Sequence, residues 1–250
     1  MKKATAAGLL MTGVLVAAVS LGCEAKDPAP AHRAATGSQG ATAVDPTDFT
    51  HPRTNAYFPL RPGLVTTLRG SEDGEHFRER VEVTGRTKLI QGVRTIAFYD
   101  VVHRGDGTLA EETTDFYAAD NDGNVWYFGE DTATYDDSGR LESREGSWRA
   151  GSRGAVVGMV MPADPGPTDA YRQEFWRGHA EDQGWIVDRN GRTTVPAGSY
   201  EHVLGSYEWS RLEPGVVAMK LYAPGIGIVK EKDLAGGNEV FSLVSVTRNH

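Results

Sequence analysis

From Tyr57 onward the chain is cut into short pieces by turn signals that leave no room for long helices. Glu72-Asp73-Gly74, Arg104-Gly105-Asp106-Gly107, Asn121-Asp122-Gly123-Asn124, Asp136-Asp137-Ser138-Gly139, Arg189-Asn190-Gly191 and Gly236-Gly237-Asn238 each set a residue that tolerates positive φ between two hydrophobic runs. The 30 glycines act in the same direction, because glycine inside a helix costs about 1 kcal/mol relative to alanine.

The runs between these turns alternate. Val81 and Val83 alternate with Arg80 and Glu82, and in Thr95 to His103 the residues Ile96, Phe98 and Val102 share one face while Tyr99 and Val101 share the other. Further strands are expected at 109–118, 125–128, 156–161, 185–188, 203–209, 216–222, 226–230 and 240–247. Residues 170–179 fit a strand through Tyr171, Gln173 and Phe175, although Tyr171 and Phe175 would also meet on a helix; strand is the preferred reading. The expected fold is all-β: an antiparallel meander forming a sandwich or a partly open barrel, with little helix after the N-terminal leader. No internal repeat supports a propeller.

The N-terminus reads as an address. Lys2 and Lys3 precede an uncharged run from Ala4 to Gly22, and Ser20-Leu21-Gly22 lead directly into Cys23, the single cysteine of the chain. A basic start, an apolar centre and a small residue at the end make an export signal and not a membrane span. The stretch Val19 to Cys23 resembles a bacterial lipobox, which implies cleavage before Cys23 and its modification by diacylglycerol and a further acyl chain, such as palmitate. Two or more chains anchor stably where one does not. Residues 1–22 are thus expected to be a signal peptide. Residues 23–48, which contain Asp27-Pro28-Ala29-Pro30 and no aromatic, are expected to be a lipidated cysteine followed by a disordered tether. Residues 49–250 are expected to be one β-rich domain. A coil the length of the tether reaches roughly 25 to 30 Å. The expected location is the extracytoplasmic face of a cell membrane or outer membrane, held through Cys23.

The charge of −8 argues against nucleic-acid binding, since a phosphate backbone would be repelled. Catalytic patterns are weak. No G-x-S-x-G is present, and Gly151-Ser152-Arg153-Gly154 reads as a turn. His32, His51, His76, His103, His179, His202 and His250 are scattered without zinc spacing, and no cofactor is implied. Asp120, Asp122 and Asn124 are weak candidates for a calcium loop, because hard cations want several oxygens on a tight turn. The EF-hand spacing fails, with Gly123 in the fourth place and Asp131 in the twelfth, so a hairpin turn is the preferred reading. Glu130, Asp131, Asp136 and Asp137 would share a cation with that loop only if the hairpins were neighbours. Asp100 shares a face with Ile96, Phe98 and Val102, either where that face leaves the core or as a paired group inside it; the first reading is preferred. Glu111, Glu112 and Asp115 are expected on the polar face of a strand. Arg104-Gly105-Asp106 and Gly225-Ile226-Gly227 are read as turns. The aromatics from Trp126 to Phe241 would either line a concave ligand-binding sheet or fill an ordinary core, the latter preferred.

Several phrases carry a resemblance: Tyr57-Phe58-Pro59-Leu60-Arg61-Pro62-Gly63, Asp122-Gly123-Asn124-Val125-Trp126-Tyr127-Phe128-Gly129-Glu130-Asp131, and Tyr222-Ala223-Pro224-Gly225-Ile226-Gly227-Ile228-Val229-Lys230-Glu231. With shorter matches between them they span most of Tyr57 to Thr247 and resemble a group of uncharacterised bacterial lipoproteins, which brings no catalytic assignment. Thr66 and Leu68 stand where similar sequences carry Trp and Tyr. The outline is also similar to lipoprotein-carrier and related lipid-binding β folds. The expected function is therefore noncatalytic: a membrane-anchored lipoprotein that binds an apolar ligand or a partner protein at the cell envelope. An envelope hydrolase using carboxylates or calcium, and a structural or adhesive surface protein, are the alternatives.

Overall fold

In a computed structural model that describes residues 44–248, the chain turns back on itself through a series of tight reversals. β1 (Leu64–Glu72) passes into β2 (Glu75–Ile90) through Asp73 and Gly74, whose φ values are 49° and 82°. Two central residues with positive φ match the twist of the flanking strands. The reversal into β3 (Val93–Arg104) repeats the device at Gln91 and Gly92, with φ of 49° and 80°. There follow β4 (Leu109–Ala119), β5 (Val125–Tyr135), the short β6 (Leu141–Ser143), β7 (Trp148–Arg149), β8 (Gly158–Met161) and β9 (Ala170–Arg172). Five longer strands complete the chain: β10 (Asp182–Val195), β11 (Gly198–Ser210), β12 (Val217–Ala223), β13 (Gly227–Ala235) and β14 (Val240–Arg248).

All pairings are antiparallel, in the order β6-β5-β4-β3-β2-β1-β14-β13-β12-β11-β10-β9, with β7 and β8 also on β5. The first and last strands are therefore neighbours in the middle of the sheet. The sheet curls but does not close. Its ends touch at a single bridge, where the Val156 N–H donates to the Phe175 carbonyl at 2.8 Å. Beside it the backbones come so close that a Cβ on Gly158 would lie 2.0 Å from the Gln173 oxygen, so only glycine fits there. The all-β expectation holds, with no α-helix among the described residues.

Two local expectations fail for identifiable reasons. Arg189-Asn190-Gly191 is not a turn but lies inside β10, where the register slips between Ile186 and Arg192; Asp188 accepts the Asn190 N–H at 3.0 Å, and a bulge uses the same residue types as a hairpin. The reversal comes instead at Pro196-Ala197. The boundary between tether and domain also shifts. Pro46–Phe49 form a 3-10 turn capped by Asp45, and Asn121 donates its backbone N–H to Asp48 O at 2.7 Å and its side-chain amide to Thr47 O at 3.0 Å. The ordered body thus begins before residue 49. The leader, Cys23 and residues 24–43 lie outside the described residues, as does His250.

Residues 44–63 form a strap across the end of the sheet that holds the β4–β5 and β12–β13 turns. Asn55, buried to 6% exposure, pins it: its amide donates to Gly123 O at 2.9 Å and Pro162 O at 2.8 Å, while its oxygen accepts the N–H groups of Tyr57 and Phe58. Phe58 then drops into the interior. Its ring centroid lies 5.6 Å from Phe98 and 4.9 Å from Tyr117, and the series continues through Tyr127 to Trp148. This aromatic chain fills the strap end of the interior, and such pairs add roughly 0.5 to 1.5 kcal/mol each beyond the burial of their area.

Candidate functional site

Beyond this series the interior sets buried carboxyls among apolar side chains such as Leu68, Leu204, Phe241 and Leu243, which the preferred sequence reading of Asp100, Glu111 and Asp115 did not anticipate. Pairing places Asp100 opposite Val81, Glu79 opposite Val102, and Val102 opposite Glu111, so these residues share the inward face with valines and phenylalanine. Asp100 is therefore inside the core and not where its face leaves it, and Asp115, at 1% exposure, accepts the Tyr127 hydroxyl at 2.7 Å. Glu111 accepts from Thr113 on the same inner row. Glu112 alone fits the expected polar face, where it accepts the Tyr99 and Tyr135 hydroxyls.

Burial governs the protonation of this cluster, because a low-dielectric surrounding disfavours the charged form. Burial, then the Asp100 charge and the hydrogen bond to it, pushes Glu79 well above the usual range; burial, then Asp115, does the same to Asp100. Glu130 and Glu174 are raised by burial and by neighbouring carboxylates, and Glu111 is pushed to about 8 chiefly by burial. The exception is built around Lys220, whose ammonium lies 3.1 Å from Glu208 and 3.5 Å from Glu231. Burial opposes the charge on Lys220, but the two carboxylates outweigh it and hold the ammonium protonated. Glu208 also accepts from Ser206 and Tyr222; these bonds and Lys220 overcome its own burial and keep it ionised, while burial raises Glu231 to about 8. At neutral pH the Lys220–Glu208 ion pair thus lies among buried carboxyls, of which Glu79, Asp100, Glu111, Glu130 and Glu174 are pushed toward the neutral form.

Asp120, Asp122 and Asn124 come together as a turn stapled by Asp120. One Asp120 oxygen accepts the N–H groups of Asp122, Gly123 and Asn124 at 3.0, 2.8 and 2.9 Å; the other accepts the Asn124 amide and the Trp126 indole, both at 2.8 Å. Burial pushes the carboxyl up, and these donors more than compensate, leaving it below the usual range. The second acidic group is dispersed. Glu130 is interior, Asp131 pairs with Arg149 and Lys88, Asp136 caps its own turn, and Asp137 faces Arg104. Arg104 itself donates to the Leu109 and Tyr135 carbonyls, so it braces the sheet. Tyr127, Phe128, Trp148, Tyr222 and Phe241 are core residues.

The open site lies at the strap, and sequence reasoning missed it. Between the strap and the rim is a cleft of about 470 Å³, within the usual range of ligand pockets. Phe49, Pro52, Pro59 and Leu60 form the strap wall, and Ile96 with Ala119 forms the rim wall. Ile96 and Arg94 continue the inward row of Phe98 and Asp100 beyond the point where the sheet is plugged. Arg53, Arg61 and Arg94, all exposed, stand at the same cleft. Arg94 reaches the Thr87 hydroxyl at 3.5 Å, and no carboxylate pairs with any of the three among the described residues. No periodicity announces such a site, because one wall is irregular chain.

Neither a protein-family model nor a curated protein matches the chain. Two solved structures are similar in outline. A protein described as exported, with a YmcC-like fold, from Bacteroides fragilis is 13% identical, covers 78% of this chain and 100% of its own, and has a TM-score of 0.47. A protein described as a lipoprotein, from Parabacteroides distasonis, is 12% identical with the same coverage and a TM-score of 0.41.

Proposed function

We propose that the chain is a noncatalytic bacterial lipoprotein, anchored through Cys23 on the extracytoplasmic side of a membrane, whose β-domain binds an apolar ligand in the cleft between strap and rim. The observation that carries this reading is the cleft itself: an open, largely apolar recess on a body whose interior is packed with aromatic and aliphatic side chains and buried carboxyls. The leader and the lipobox-like run into Cys23 support the anchoring, and the enclosure of the interior carboxyls supports a binding role over a hydrolytic one.

Two measurements test it. Metabolic labelling with palmitate should mark the wild-type chain and fail on Cys23→Ser. A neutral naphthylamine probe should gain fluorescence on binding the mature chain, and Leu60→Trp, which projects an indole from the strap wall and obstructs the cleft, should abolish that gain without lowering the melting temperature. Probe binding that survives in Leu60→Trp would place the ligand elsewhere.

A further inference from the structure

We propose that the ligand is an anionic phospholipid of the membrane that carries the anchor, its acyl portion in the cleft and its phosphate among Arg53, Arg61 and Arg94. The proposal rests on the cleft being the binding site and adds the chemistry of the occupant.

Charge is the first argument. The chain carries −8, yet three arginines gather at one apolar recess with no carboxylate to neutralise them among the described residues. Arginines outside ion pairs occur elsewhere too, Arg78 and Arg140 among them; what sets these three apart is that they line one apolar recess together. A guanidinium presents a planar fork of donors that matches phosphate oxygens. An apolar floor beneath an unpaired cationic rim is complementary to an anion with a hydrocarbon body.

Connectivity is the second. The strap that forms one wall of the cleft is the segment through which the chain arrives from Cys23, about twenty residues upstream of Val44. β3, 12 residues long, spans about 40 Å at roughly 3.3 Å per residue. Chain from a lipidated Cys23 joins the body at the strap, so such an anchor favours the strap end toward the bilayer over the far end. The cleft faces the surface from which a phospholipid would come.

The test uses the mature chain from residue 23 with Cys23→Ser, so that no acyl chain of its own contributes, and measures co-sedimentation with vesicles of phosphatidylcholine alone or with one-third phosphatidylglycerol. Binding to the anionic vesicles should be at least tenfold stronger and should weaken with salt. Each arginine near an anionic surface is worth roughly fivefold, so Arg53→Gln with Arg61→Gln and Arg94→Gln should remove the preference. The exposed pair Arg78→Gln and Arg140→Gln, away from the cleft, should leave it intact. The triple variant should still bind the neutral naphthylamine probe. Equal binding to both vesicle types, or a preference that survives the triple substitution or falls equally with the control pair, overturns the phospholipid proposal. Loss of probe binding in the Leu60→Trp variant would leave the cleft standing in that event, whereas a wild-type chain that binds no probe would remove the cleft reading as well.

Discussion

The two ends of the interior are built from the same strands but solve burial differently. At the strap end, β3, β4 and β5 contribute Phe98, Tyr117 and Tyr127 to a dry aromatic series that Phe58 closes from outside the sheet. Toward the far end, the same inward rows carry Asp100, Glu111 and Glu130, with Glu79 and the Lys220 cluster facing them. Apolar side chains gain by leaving water, at about 25 cal/mol per Å². Carboxyls lose, and settle by keeping their protons or by sharing one lysine. The aromatic end therefore holds the fold at any pH, while the carboxyl end makes it conditional.

Truncating the plug should have the largest effect. Phe58→Ala leaves a cavity between Phe98 and Tyr117 and should cost about 3 to 5 kcal/mol in chemical denaturation. A loss under 1 kcal/mol would mean that the strap is not integral to the body.

Lys220→Met probes the other end. It strands Glu208 without its cation and should also cost roughly 3 to 5 kcal/mol, but here a second substitution should rescue. Glu208→Gln in the Lys220→Met background should recover much of the loss, because the uncompensated Glu208 charge is gone. Additive losses in the double variant would contradict a Lys220–Glu208 ion pair.

The pH dependence comes next in size. Glu79, Asp100, Glu111, Glu130 and Glu174 have folded pKa values above their unfolded ones, so the native state holds more protons. The stability they contribute is complete below about pH 4, where the unfolded groups are protonated as well, and declines as pH rises toward and beyond about 8, the value for Glu111 and Glu231. Each such group contributes up to roughly 1.4 kcal/mol per pH unit inside its window. The melting temperature should be higher at pH 5 than at pH 9, and Asp100→Asn should flatten the difference. A profile that rises toward alkaline pH would contradict the buried, protonated state.

Asp120→Ala should have the smallest effect, roughly 1 to 3 kcal/mol, since it orphans turn donors that lie near the surface. Its folded pKa is depressed, so the wild-type contribution is present at neutral pH and fades as pH falls through that folded value. Calcium should not shift the melting temperature of the wild type, because both carboxylate oxygens already serve the turn.

The strands were legible because their signals are local. Asp73-Gly74 and Gly236-Gly237-Asn238 mark real reversals, and the alternation around Val81 and Phe98 gives the correct faces. Arg189-Asn190-Gly191 misled because positive-φ chemistry serves bulges as well as turns. Alternation gives Asp100 its correct face but not its fate, since a lone acid between Phe98 and Val102 reads as an edge. The informative signal was recurrence: Glu79 beside Val81, Asp115 beside Tyr117, Lys220 beside Tyr222 and Glu231 beside Val229 each put a charge on an apolar row. The cleft could not be read at all, because Leu60, Arg61 and Arg94 meet only after the strap has crossed the rim.

Photolabelling tests the central claim most directly. An anionic phospholipid with a photoreactive group near the top of its acyl chain, irradiated with the mature chain and mapped by peptide mass spectrometry, should label strap peptides around residues 49–61 and the start of β3 around Ile96. Labels concentrated on the inward residues of β10 to β13, or spread evenly over the surface, would contradict a filled interior with its binding site at the strap.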